Sequence, residues 1–170
     1  YLVSSESRNN FLRNLAIKMK GNTLVLFQLV EKHGKKLYEI IKEKADNNRK
    51  VFYIFGGVEA DEREAIRGIV ENEKYAIIVE SYGTFSTGVN IKNLHNIIFA
   101  SPSKSRIRNL QSIGRGLRLG DNKVNATLYD IADDISYKEK ENYTLAHFRE
   151  RINIYNEEEF DYEIHNIDLK

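Results

Sequence analysis

Cysteine and tryptophan are absent from this 170-residue sequence, and proline and methionine occur once each, at Pro102 and Met19. Without cysteine there is no disulfide framework and no thiolate metal site. The four histidines, His33, His95, His147 and His165, are too scattered for ligand spacing, so no metal site is expected. No apolar run approaches the roughly 20 residues that span a bilayer and no signal peptide opens the chain, which predicts a soluble, cytoplasmic protein with no membrane partner. Linker-like and low-complexity segments are also missing, and the length is that of one domain. The chain begins at Tyr1, and its sole methionine falls inside an apparent helix, so it reads as part of a longer polypeptide.

Net charge is only +1, but the charge is unevenly distributed. Residues 1–125 carry 21 Lys+Arg against 13 Asp+Glu, and residues 126–170 carry 5 against 12. Between Glu80 and Asp121 there is no acid, while Lys92, Lys104, Arg106, Arg108, Arg115 and Arg118 all fall there. Such asymmetry marks a candidate polyanion face; the plainer alternative is a basic cluster neutralised by the acidic end folding over it.

Short apolar runs alternate with amphipathic stretches. Strands are expected at TLVLFQL (from Thr23), KVFYIFGG (50–57), YAIIVES (75–81), NIIFAS (96–101) and NATLYDIA (125–132). The runs are nearly continuous rather than alternating, as in parallel strands covered on both faces. Helical spacing appears in 4–19, in 33–48 (Leu37, Ile40, Ile41, Ala45) and in 61–72, where Ala65, Ile66, Ile69 and Val70 are expected inward. Strand, helix, strand repetition predicts an α/β doubly wound parallel sheet of about five or six strands flanked by helices, spanning 1–136. From 137 to 170 the chain is highly charged; Leu145, Phe148, Ile152 and Tyr155 form a stripe, so a helical, acidic extension packing on the same domain is expected. Ligands of such sheets collect at the carboxyl ends of the strands, which is where 81–91 and 102–118 would open.

The second of these regions contains QSIGRGLR, residues 111–118. On a helix, Arg115 and Arg118 share a face about one turn apart, so two guanidinium forks converge on one anion, and Gln111 joins them four residues before Arg115. Gly114 and Gly116 leave room for a backbone or ligand to come close, at roughly 0.5–1 kcal/mol each in helix stability relative to alanine. The first region, ESYGTFSTGVNI (80–91), gathers glycine and hydroxyls where a strand meets a loop; Thr84, Ser86 and Thr87 are candidate phosphate donors. An ordinary solvated arginine pair and an ordinary turn are the plainer readings of either stretch alone.

In combination and in this order, these stretches resemble the second RecA-like domain of superfamily-two helicases. QSIGRGLR resembles motif VI and ESYGTFSTGVNI motif V. TLVLFQL, ending at Gln28, resembles motif IV, and the likeness continues through KVFYIFGG, Glu62-Arg63 and YDIAD, covering about Thr23 to Asp134. The resemblance implies that Arg115 and Arg118 meet the γ-phosphate of ATP with Gln111 orienting it. It also implies that Gly88, Asn90 and Gly114 lie near the nucleotide, and that Gln28, Thr84, Ser86, Thr87 and Lys104 track nucleic acid. Asn90 stands where many relatives have an acid, which removes any carboxylate role there.

A G-x-x-x-x-G-K-[ST] loop and a strand-borne acidic pair are both missing. Gly34-Lys35 lacks the flanking residues of the first, and Asp61-Glu62 begins a helix. ATP and Mg2+ are therefore expected to be bound mainly by a first RecA-like domain outside this chain. FSTGVNI, ASPSKS, QSIGRGLRLG and YDIADD are most similar to the DNA repair and recombination branch. That likeness implies a DNA helicase of phage or bacterial cytosol that unwinds or migrates branched or single-stranded DNA. A noncatalytic nucleic-acid-binding module and an RNA helicase of the same superfamily are the alternatives.

Overall fold

The near-continuous apolar runs become five parallel strands: β1 (Thr23–Phe27), β2 (Val51–Ile54), β3 (Ile77–Ser81), β4 (Asn96–Phe99) and β5 (Thr127–Asp130). The computed structural model describes residues 2–85, 93–101, 126–136 and 142–169. Strand order is β2-β3-β1-β4-β5, with β1 central and every residue of β1 and β3 buried.

Helices cover both faces, as the chain's buried side chains require. On one face, Leu12 and Ala16 of α1 (Glu6–Lys18) and Leu37 and Ile41 of α2 (Lys35–Lys44) pack on Val25, Phe27, Ile77, Val79 and Ile98. On the other, Val70 of α3 (Ala60–Glu71) packs with Leu24, Leu26, Ile78, Ile97 and Phe99, and the cluster extends to Tyr155 of α5 (Tyr143–Glu157). A short helix, α4 (Tyr82–Phe85), follows β3 directly. Ser5 caps α1 by accepting the Arg8 amide, and α2 is entered through a π-helical turn, Val30–Gly34.

Two expectations need correction. The inner stripe of α3 is Arg63, Ile66, Arg67 and Val70, whereas Ala65 and Ile69 face solvent. The reason lies across the interface: β3 presents Glu80, fully buried, and Arg67 Nη2 stands 3.5 Å from its Oε1. A buried carboxylate demands a cationic partner, and that demand overrides the apolar stripe. Helix α2 stops at Lys44, and Ala45 is already extended.

After β5, α5 is clamped by one buried cluster. Arg151 donates from Nε to Asp130 Oδ2 (2.6 Å) and from Nη2 to Oδ1 (2.9 Å), and the Tyr155 hydroxyl donates to Oδ2 (2.7 Å). Residues 161–169 carry no helix or strand and are exposed.

Candidate functional site

All five strands point the same way, so their carboxyl ends form one edge. Gln28 lies there, immediately after β1 and exposed, as the sequence placed it. At the end of β3, Ser81 and Thr84 lock the turn into α4. The Thr84 hydroxyl donates to the Ser81 carbonyl oxygen (2.9 Å) and lies 2.9 Å from Ser81 Oγ, which also accepts the Thr84 amide at 3.4 Å. Thr84 is 4% exposed, its hydroxyl turned into the turn it caps. Ser86, Thr87, Gly88 and Asn90 lie outside the described residues, as do Lys104, Gln111, Gly114, Arg115 and Arg118.

The same edge holds a polar cluster that sequence reading missed. His33, in the π-helical turn, is completely buried with both ring nitrogens engaged: Nδ1 is 2.8 Å from Ser101 Oγ and Nε2 is 3.2 Å from Asn9 Oδ1. Asn9 Nδ2 donates to the Val3 carbonyl (3.0 Å), which leaves Asn9 Oδ1 as an acceptor. His33 therefore donates from Nε2, and its Nδ1 lone pair accepts from the Ser101 hydroxyl. Beside it, Arg8 donates from Nη2 to the Ala100 carbonyl (2.8 Å) and from Nε to Asp133 Oδ1 (2.6 Å). Burial, aided by the positive charge of Arg8, lowers the His33 pKa to about 4, so the ring is neutral near pH 7. No spacing signal announces this cluster, whose members lie up to 125 positions apart.

Three of the acids at or beside the strand ends are paired with an arginine: Glu80 with Arg67, Asp130 with Arg151, Asp133 with Arg8. Burial pushes the Glu80 carboxyl up to about 7 against the opposing pull of the Arg67 and Arg63 guanidiniums. An approaching polyanion thus meets no uncompensated charge from these three carboxylates. The same pairing leaves them unfit to hold Mg2+, and among the described residues no group of three His, Asp or Glu is placed to bind a metal. The described residues do not form a metal site by themselves.

The pattern of the helicase conserved C-terminal domain matches residues 7–120. The chain belongs to that helicase family. It is 39% identical over 181 residues to the ATP-dependent DNA helicase uvsW of Enterobacteria phage T4, a match covering 99% of this chain and 35% of the relative. It is 29% identical over 107 residues to the putative ATP-dependent helicase IRC3 of Saccharomyces cerevisiae, covering 63% of this chain and 15% of that protein. The crystal structure of T4 UvsW superposes with a TM-score of 0.81 at 37% identity, covering 99% of this chain and 36% of that one. Domain 2 of the DEAD-box helicase Mss116p, solved with an RNA duplex, superposes at 0.62 with 14% identity, covering 88% and 56%; this likeness extends to the fold alone. The chain thus spans about a third of the length of its T4 relative. It is a RecA-like helicase C-terminal domain, with the five-stranded parallel sheet and flanking helices of that family.

Proposed function

We propose that this chain is the second motor domain of an ATP-dependent DNA helicase acting on branched or single-stranded DNA in recombination, repair or replication-fork processing, by unwinding or branch migration in the cytosol. The observation that carries the reading is 39% identity, over 99% of the chain, to a protein named an ATP-dependent DNA helicase. In this reading Arg115 and Arg118 act as arginine fingers on ATP held with Mg2+ by the first RecA-like domain of the intact polypeptide, and Gln111 helps orient the γ-phosphate. Gly88, Asn90 and Gly114 approach the nucleotide, while Gln28, Ser86, Thr87 and Lys104 touch the nucleic-acid backbone. Thr84 contributes by shaping the turn after β3, since its hydroxyl is bound to Ser81. Fingers of this kind are worth about 10³–10⁵ in rate.

The DNA assignment is tested by stimulating ATP hydrolysis of the intact polypeptide with forked DNA, single-stranded DNA and RNA at one salt concentration. Stimulation by DNA, strongest with the fork, is expected. Stimulation by RNA alone would move the protein to the RNA helicases, and binding without any ATP turnover would make it a noncatalytic module.

A further inference from the structure

We propose that His33 is a positioning residue for ATP hydrolysis: through Ser101, and with the adjoining Arg8–Asp133 link, it fixes the two strand exits between which residues 102–125 run. This rests on the reading of Arg115 and Arg118 given above. Helix α1 and the π-helical turn belong to the part of the fold before β2, yet their polar side chains reach across to the exits of β4 and β5. Arg8 bonds the carbonyl of Ala100, the residue after β4, and the carboxylate of Asp133, three residues after β5. His33 bonds the next residue along, Ser101.

Aliphatic packing alone would fill this space. Burying an arginine, an asparagine and a histidine instead risks about 1–3 kcal/mol for every group left unpaired. What polar groups supply is direction. An apolar contact tolerates sliding, whereas a chain of hydrogen bonds with fixed donors and acceptors defines one position. Arginine fingers require such definition, because a displacement of about 1 Å at a reacting centre can cost on the order of 10²-fold in rate.

The tautomer deduced above supplies a test that separates positioning from mere stability. In His33→Asn the side-chain oxygen falls near Nδ1 and keeps an acceptor for Ser101. In His33→Gln the amide falls near Nε2 and keeps the donor to Asn9 but loses Ser101. The intact polypeptide is assayed for kcat and KM of DNA-stimulated ATP hydrolysis, for DNA affinity and for thermal midpoint, as wild type and as His33→Asn, His33→Gln, Ser101→Ala and Arg115→Ala.

The proposal expects His33→Gln and Ser101→Ala to lose about 10- to 100-fold in kcat with DNA affinity within about twofold of wild type, while His33→Asn stays within about threefold in kcat. It is overturned if kcat follows thermal midpoint across the His33 and Ser101 variants, or if none of them changes kcat. Undiminished turnover in Arg115→Ala would sink the motor reading and this proposal with it. Loss of turnover in Arg115→Ala beside normal His33 and Ser101 variants would sink the proposal alone.

Discussion

Replacing Gly34 with alanine sets two effects of opposite sign against each other. Gly34 closes the π-helical turn with right-handed helical angles, φ −60 and ψ −48, so alanine meets no backbone strain there. Relief of glycine's conformational entropy alone would stabilise the protein by about 0.5–1 kcal/mol. The added methyl, however, would overlap the Phe27 ring, with Cδ2 only 2.6 Å away. Phe27 is fully buried and stacks on Tyr53 at 5.7 Å, which in turn stacks on Tyr38 at 5.1 Å, so the ring has no free space to retreat into. Overpacking of this kind costs about 1–3 kcal/mol, which exceeds the entropic gain. Net destabilisation of about 1–2 kcal/mol is expected, seen as a lower urea midpoint at unchanged slope. Shortening the obstructing ring should relieve the clash. The double variant Gly34→Ala/Phe27→Leu should be at least about 1 kcal/mol more stable than the sum of its single effects implies. Gly34→Ala as stable as wild type, or more so, would refute the packing argument.

Asp130→Ala strands Arg151 in the interior and removes the acceptor of Tyr155, so a loss of about 3–5 kcal/mol is expected in urea unfolding; Tyr155→Phe, which leaves the ion pair intact, should cost about 1.5–3. His33 has a folded pKa of about 4 against an ordinary 6.5, so between these values the unfolded chain takes up a proton that the folded chain refuses. The His33 contribution to stability should therefore be complete above pH 6.5 and be lost by up to about 3 kcal/mol as pH drops to 4. Relative to a His33→Asn curve, the difference should open only below about pH 6.5, and parallel curves would count against the buried neutral ring. Glu80 shifts the opposite way, to about 7 from an ordinary 4.5, so its contribution is complete below 4.5 and declines as pH rises to 7. Glu80→Gln should abolish that decline in the same titration; a decline unchanged in Glu80→Gln would assign it to other groups.

Much of the fold is legible in the apolar runs. TLVLF and IIVES are buried at every position, as continuous apolar patterning demands of central parallel strands. The orientation of α3 was not legible, because hydrophobic periodicity takes arginine for a surface residue. Arg63 and Arg67 turn inward for Glu80, a partner that becomes visible only once β3 is packed beside them. The Arg8, Asn9, His33, Ser101, Asp133 cluster was hidden for a similar reason: its members are brought together only when four segments converge at one sheet edge. A strand ending in a polar residue was enough to put Gln28 at that edge. Thr84 shows a different ambiguity, since a hydroxyl beside a strand end serves a phosphate or its own turn equally well in sequence, and here it bonds Ser81.

The central claim is that Arg115 and Arg118 serve ATP turnover and not DNA grip. It is tested most directly by measuring DNA-stimulated ATP hydrolysis and DNA affinity side by side on the intact polypeptide carrying Arg115→Ala or Arg118→Ala. The account predicts that turnover falls by about 10³-fold or more while DNA affinity stays within a few-fold of wild type. Near-normal turnover in both variants, or weakened binding with a flattened salt dependence and intact turnover, would contradict it.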